Sequence, residues 1–455
     1  MEVTRTLAKF IVSHRYADVP QKVRHEAARS FLNWVGCAVG ASRHETVERA
    51  LAALYEFSGP REATVLGRGD RLDIMLAALM NGITSHTFDF DDTHLKTVIH
   101  PSGPVASAIL ALAERKPVKG EEFLHAFILG VEAECRIGNS VYPPHYDVGW
   151  HITGTAGVFG AAAAAGRMLA LDEQQMTWAL GIAATQSSGL REMFGTMCKP
   201  FHPGNAARNG LLAALLAQRG FTSSNQGIEA KRGFANVLST AFKSGEVTDR
   251  LGETWEIALN TYKPFACGIV EHPAIDGCIQ LRNEHMLKAG DIESVALKVH
   301  PLVLELTGKK TPQRGLEGKF SVYHSCAVAL IHGAAGEAEY SDEAVRDPKV
   351  IALRDRVTAA VDKSMHEDQV HVTIKLRNGR TLERYVEHAV GSLGRPMSDA
   401  DLEAKFRGLA DGILSNPETE HLIRLCWDIG ALKDAGEVAR ASVPAEGKAR
   451  RAAAV

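Results

Sequence analysis

Between His86 and His100 the chain gathers three carboxylates and three imidazoles: His86, Asp89, Asp91, Asp92, His94 and His100, with Thr93 among them. Clustered acids repel, so at least one is driven to a raised pKa or toward a cationic partner. A histidine among carboxylates is held as imidazolium or oriented as a general base. The blander reading is helix capping, because Asp and Thr near helix ends satisfy free backbone amides. No H-x-x-x-H or comparable ligand spacing occurs, so no metal is expected. Asp89-Phe90-Asp91-Asp92 also spells D-x-D-D, a proton-donating motif of some helical terpene cyclases. Such cavities need aromatic walls for carbocations, and aromatics make up only 6% of this chain.

Four further segments carry polar chemistry. In GWHITGT, His151 sits just before a helix N-terminus. The dipole there keeps an imidazole neutral and able to accept a proton. In GTMCKPFHPGNAAR, Lys199 and His202 lie in a loop stiffened by Pro200 and Pro203. The loop is expected to run into a helix capped by Asn205, with Arg208 in its first turn. Free amides plus cations make an anion site. In YKPFACGIVEHPAID, Lys263, Cys267 and His272 fall at a break in the sequence pattern, and KFSVYH brings Tyr323 and His324 to another helix start. No G-x-S-x-G elbow supports a hydrolase triad. Cys198 beside Lys199 reads as a buried, inert thiol before an activated one. A site with Lys, His and Arg around one acidic cluster suits a small substrate bearing several carboxylates, and a proton-transfer reaction. With no P-loop and no dinucleotide fingerprint in strand context, no cofactor is expected.

The elements that must position these residues change character along the chain. Val23, Ala27, Phe31 and Val35 recur at helical spacing. Helix-length patterns follow over 72–88, 104–115, 121–138, 152–170, 174–189, 205–219 and 227–239. Several are rich in Ala and Gly, which lets helix axes approach closely. After Lys263 the period shortens. Val295, Leu297 and Val299 alternate with polar or small residues, as do Val370, Val372, Ile374 and Leu376. Asn378-Gly379 before a second alternating run predicts a hairpin. Helices are predicted at 273–286, 320–332, 399–411 and 417–428. The fold class is therefore mainly α. A large helical domain over 1–262 and 398–447 is interrupted by an α+β lid domain over 263–397. Residues 448–455 read as a mobile tail.

Composition sets the outer limits. At about 150 residues per domain, 455 residues suggest three domains; the pattern breaks reduce that to two. The net charge of −3 comes with no basic stripe before the tail, so no nucleic-acid partner is expected. The seven cysteines form no C-x-x-C pair, which predicts free thiols in a reducing, cytoplasmic setting. The N-terminus has no signal-peptide pattern. The most apolar small-residue run, Ala156 to Gly166, is far short of the roughly 20 residues a membrane span needs.

Taken together, five blocks resemble the MmgE/PrpD family: DFDDTH…HPSGPV, GWHITGTAGVFGAAAAAGRML, FGTMCKPFHPGNAARNGLLAALLA, KPFACGIVEHPAID and KFSVYHSCAVAL. That family contains 2-methylcitrate dehydratases, cis-aconitate decarboxylases and iminodisuccinate epimerases. The resemblance implies a homodimer with a cofactor-free site between the main domain and the lid. Carried over by motif, Asp89, Thr93, His100, His151, Lys199 and Lys263 form its polar lining. In the decarboxylase branch the lysine matching Lys263 is followed five residues later by His; here that position is Gly268. The branch's aromatic hydroxyl in the fifth block falls near His324, with Tyr323 one residue earlier.

The expected activity is a lyase that adds or removes water on a small di- or tricarboxylate. His151 or His100 moves the proton α to a carboxylate. Asp89 balances charge, and Lys199, Lys263 and Arg208 hold carboxylates. Thr93, His202, His272, Tyr323 and His324 complete the binding set. Epimerisation by two-sided proton transfer is the first alternative, and decarboxylation ranks below it. A ligand-binding protein that kept the fold is the non-enzymatic rival.

Overall fold

The computed structural model describes residues 2–445; the predicted tail at 448–455 lies outside the described residues. Helices account for most of the chain before Tyr262. The ones that matter for the site are α1 (Gln21–Gly40), α2 (Ile74–Thr87), α3 (Ser102–Arg115), α4 (Gly120–Val141), α5 (Ile152–Met168), α6 (Glu173–Ala184) and α7 (Cys198–Gln218). Local chemistry starts several of them. Asp73 accepts from Met75 N and Leu76 N at 2.9 and 3.1 Å to open α2. Asp172 and Gln175 form a capping box on α6. In α5 every residue from Ile152 to Gly166 is buried. Its Ala/Gly composition allows that, because neighbouring helices reach it on all sides.

Two predicted features are corrected. The loop expected at 195–204 is largely helix, because α7 begins at Cys198. Pro200 falls in its first turn, where backbone amides have no intrahelical partner, so its missing N–H costs nothing. Pro203 lies inside the helix. Asn205 is therefore no cap; its side chain donates to Ser188 Oγ at 3.1 Å and accepts from Arg208 at 2.7 Å. The helix predicted over 227–239 shrinks to Phe234–Leu238, since Gly227 and Gly233 interrupt it.

Beyond Lys263, α8 (His272–His285) and α9 (Val322–His332) pack on one four-stranded sheet. Its strands are β1 (Ile292–Val299), β2 (Val357–Val361), β3 (Val370–Leu376) and β4 (Thr381–Val386), in the spatial order β2-β1-β3-β4. The β3–β4 hairpin pairs Val370 with Val386, and Gly379 supplies the positive φ of 87° its turn requires. β2 pairs parallel with β1. Helices α10 (Asp399–Ala410) and α11 (Asn416–Trp427) return to pack on α1.

The apolar residues form two clusters. The larger joins Val3–Tyr262 to Met397–Ala439. The smaller is drawn mostly from residues 265–386 and reaches across through Phe90, Ile99, Tyr146 and Ile152. The chemistry-bearing loops lie at this seam. No helix among the described residues is long and apolar enough to cross a membrane.

Candidate active site

One helix crossing builds the centre of the site. Gly82 on α2 and Gly204 on α7 touch backbone to backbone; a Cβ on Gly204 would stand 2.3 Å from Leu79 O. That approach is open only to glycine. His86 lies one turn beyond the crossing on α2 and Lys199 lies just over one turn before it on α7. The two side chains meet, with Lys199 Nζ 2.8 Å from His86 Nε2. His86 Nδ1 in turn donates to Asp91 Oδ2 at 2.6 Å. An ammonium can only donate and a carboxylate can only accept. His86 is thus a neutral ring with its Nδ1 protonated.

Asp89 follows the end of α2 with φ of +50°, a left-handed conformation that Asp tolerates better than most residues. Its Oδ1 accepts from Lys263 Nζ at 2.6 Å and from Lys199 Nζ at 3.0 Å. Lys263 also donates to Asp89 O at 3.0 Å. Burial pushes the Asp89 carboxyl up, but the two ammonium groups outweigh it and hold it well below the usual carboxylate range. Burial drives Lys199 down further than Asp89 raises it, with the Lys263 charge adding to the fall. Lys263 goes the other way, because Asp89 and Asp91 outweigh its burial.

His100 is tied from behind. Its Nδ1 donates to Asp92 O at 2.8 Å, and a carbonyl can only accept. Nε2 therefore carries the lone pair. Thr93 Oγ1 stands 3.3 Å from the same Nδ1, and Thr93 is itself fixed by a two-residue antiparallel pair with Thr261. Burial lowers His100 to about 3. His151 is the N-cap residue of α5 as predicted, although its side chain makes no cap hydrogen bond. Its Nδ1 lies 2.9 Å from His202 Nδ1, so one of the two rings donates to the other. Burial, with His202 and Lys199 nearby, holds His151 well below its ordinary value. Burial brings His202 to about 4. At neutral pH the imidazoles lining the site are uncharged, and its cations are lysines.

Asp89, His100, His151, Lys199 and Lys263 line one cavity of about 40 Å³, together with Val98, Tyr146, Phe194, Gly268 and Phe320. The Phe194 and Phe320 rings lie 5.4 and 5.5 Å from Lys199 Nζ. A low local dielectric strengthens every charge interaction there.

Other expected site residues fall elsewhere. Arg208 bonds within its own helix, to Asn205, and is absent from the cavity lining. His272 is buried against the Phe265 ring at 5.3 Å and lines an adjoining groove, which shares Val98, Ile269 and Val270 with the cavity. Tyr323 faces Lys310, and His324 donates from Nε2 to Glu339 O at 2.8 Å. His94 turns to Glu256 at 2.9 Å. Asp92 accepts from Ser102 Oγ and Asn260 Nδ2, both at 2.6 Å, while burial raises it to about 7. His86 and Asp91 stood in the sequence cluster without an assigned role. Phe194 and Phe320 lie within the third and fifth blocks but were assigned no role, since their relation to Lys199 is tertiary.

Ligand atoms of His86, Asp89, Asp91 and His100 lie within 4.8 Å of one another, as do those of His86, His100 and His151. Two ammonium groups already engage Asp89, and one of them donates to His86. The donor set is filled by the chain's own cations and fits an organic anion better than a dication.

Family models of the MmgE/PrpD N-terminal and C-terminal domains match residues 5–246 and 265–429. The chain belongs to the MmgE/PrpD family. It is similar to a cis-aconitate decarboxylase of Aspergillus terreus, at 28% identity over 92% of this chain and 91% of the relative. Human cis-aconitate decarboxylase is 26% identical over 95% and 92%. The 2-methylcitrate dehydratase of Salmonella typhimurium is 24% identical over 83% and 84%. The MmgE/PrpD blocks converge on the cavity described above, apart from the part of the fifth block carrying Tyr323 and His324.

The lowered Lys199 makes a pH prediction. An anionic substrate needs the ammonium, which is present below the Lys199 pKa and lost as pH rises through it. kcat/KM is expected to fall on the alkaline side before the ordinary lysine value of about 10.4 is reached. A profile that stays flat up to that value would contradict the assignment.

Proposed function

We propose that this MmgE/PrpD chain is a lyase acting at the carbon α to a carboxylate of a small di- or tricarboxylate, with hydration or dehydration as its net reaction. The observation that carries the reading is the pairing of two buried ammonium groups, Lys199 and Lys263, with the free Nε2 of a neutral His100 in the lining of one cavity. Removing an α proton puts charge on the adjacent carboxylate. Preorganised cations stabilise that charge without reorganising. In this reading Lys199 and Lys263 turn from Asp89 toward the substrate, and Asp89 keeps them charged when the site is empty. His100 takes the proton, and His151, whose ring lies 6.4 Å from that of His100, is the second proton-transfer group. Thr93 and His202 hold these two rings in place.

The cavity is too small for a tricarboxylate as it stands. We therefore assign residues 263–397 the part of a lid over the helices of 1–262 and 398–447, in a homodimer as the family resemblance implies. His272, Tyr323, His324 and Arg208 are then second-rank candidates for contacts made in another arrangement of the lid.

Decarboxylation is the second reading, and the similarity to cis-aconitate decarboxylases along almost the whole chain favours it. Gly268 weighs the other way: it lines the cavity where the decarboxylase pattern places a histidine. Both reactions develop carbanion charge that a neighbouring carboxylate stabilises, by loss of a proton in the first and of CO₂ in the second. An NMR screen of small polycarboxylic acids in D₂O separates them. We expect at least one acid to take up deuterium at its α carbon and to gain or lose water. Loss of a carboxyl group would instead establish the second reading. Binding with no exchange in any acid would overturn the enzymatic assignment.

A further inference from the structure

Three lysines from distant parts of the chain grip three consecutive backbone carbonyls. Lys319 Nζ donates to Phe88 O at 2.9 Å. Lys263 Nζ donates to Asp89 O at 3.0 Å. Lys405 Nζ donates to Phe90 O at 2.6 Å. Of these, only Lys263 lines the cavity. The remaining protons of the outer two are also used. Lys319 reaches Ala266 O at 2.8 Å and the Glu337 carboxylate. Lys405 reaches Lys263 O at 2.9 Å and Asn33 Oδ1 at 2.8 Å.

The grip has a reason. Asp89 sits at φ +50°, a conformation that costs a non-glycine residue about 1 kcal/mol or more. It persists only where the surroundings over-determine it. A turn at this φ points three successive carbonyls in different directions, and each meets an ammonium. Charge-assisted hydrogen bonds are the strong kind. The rings add to the hold: Lys405 lies 3.9 Å from the Phe90 centroid and Lys319 lies 5.7 Å from that of Phe88. Lys405 also fixes the Lys263 backbone, so one side chain registers both ends of the Lys263–Asp89 ion pair. Lys319 does the same for Phe88 and Ala266, on either side of it. Burial beside Lys263 brings Lys405 down to about 8, so its ammonium persists at neutral pH.

We infer that Lys405 and Lys319 are positioning residues, which hold Asp89 in its left-handed turn and thereby set where Lys199 and Lys263 stand in the cavity. Neither lines the cavity. The inference rests on the reading of Asp89 and Lys263 as site residues, and its test separates the two. A crystal structure of Lys405→Met reports the geometry without any assay. The Asp89 φ is expected to leave the left-handed region, and the Lys263 Nζ to Asp89 Oδ1 contact to lengthen. On the acid identified by exchange, kcat is expected to fall at least tenfold and KM to rise with it, since Lys199 and Lys263 hold the substrate and a misplacement of about 1 Å costs on the order of 10²-fold.

A merely structural lysine would lower kcat by the same factor in any background. A positioning one acts through Asp89, so in the Asp89→Asn background Lys405→Met is expected to add less than about twofold. An unchanged Asp89 turn in the crystal overturns the inference and leaves the proposed function untouched. A displaced turn with full kcat overturns the role given to Asp89 itself. Should Lys405→Met fail to fold, Lys319→Met frees Phe88 O instead and carries the same readouts.

Discussion

Asp89→Asn is expected to lower stability at neutral pH by about 3–5 kcal/mol, the usual cost of breaking a buried ion pair from one side. Asp89 is the carboxylate shared by Lys199 and Lys263, and all three side chains are buried. The amide leaves two ammonium groups facing each other, with Asp91, which is bonded to His86, as their nearby counter-charge. The pH dependence gives the effect a signature. The wild-type carboxyl is depressed, so its stabilisation is complete above the unfolded carboxylate value of about 3.9 and is lost as pH falls through the lower folded value. Urea midpoints of wild type and variant are therefore expected to differ most near neutrality and to converge in acid. A constant gap across pH would mean that the loss is steric and the ion pair is not its source.

His100→Ala is expected to lower kcat by about 10²–10⁴-fold, the range for a positioned general base. The reason lies in the tautomer. Nδ1–H donates to Asp92 O, which leaves the lone pair on Nε2 of a ring that burial keeps neutral. His86 has no such freedom, because Asp91 and Lys199 occupy both of its nitrogens. His86→Ala is therefore a control of a different kind: its loss acts through Lys199 and raises KM along with lowering kcat. KM for His100→Ala should stay within about threefold, since a base acts chiefly in the transition state. A kcat within tenfold of wild type would move the proton-transfer role to His151.

Much of this was legible in the sequence, for identifiable reasons. The α5 N-terminus at His151 and the hairpin at Asn378-Gly379 are signals carried by neighbours in the chain. Four of the five blocks carry the cavity's titratable residues, one or two in each, and the fifth adds the Phe320 ring. What failed was local as well. Pro200 and Pro203 read as a loop, although a proline in the first helical turn is tolerated. The parallel strand β2, with the sequence VTAAV, lacks alternation, and its outer residues are exposed at a sheet edge. Lys405 had no signal at all, and Lys319, though it opens the fifth block, had none for its grip on Phe88. Their partners lie far away along the chain, 315 residues for Phe90 O and 231 for Phe88 O. No spacing rule reaches that distance. Arg208 drew a role from its place in a conspicuous block, yet it faces Asn205 along its own helix.

The central claim is that paired lysines beside a neutral histidine labilise hydrogen α to a carboxylate. Its most direct test is ¹H NMR of a responsive acid in D₂O, with wild type and Lys199→Ala run side by side. The account predicts deuterium at the α carbon with wild type, and a rate about 10²–10³-fold lower with the variant, as for loss of one charge-stabilising donor. Equal exchange by the two proteins would contradict it.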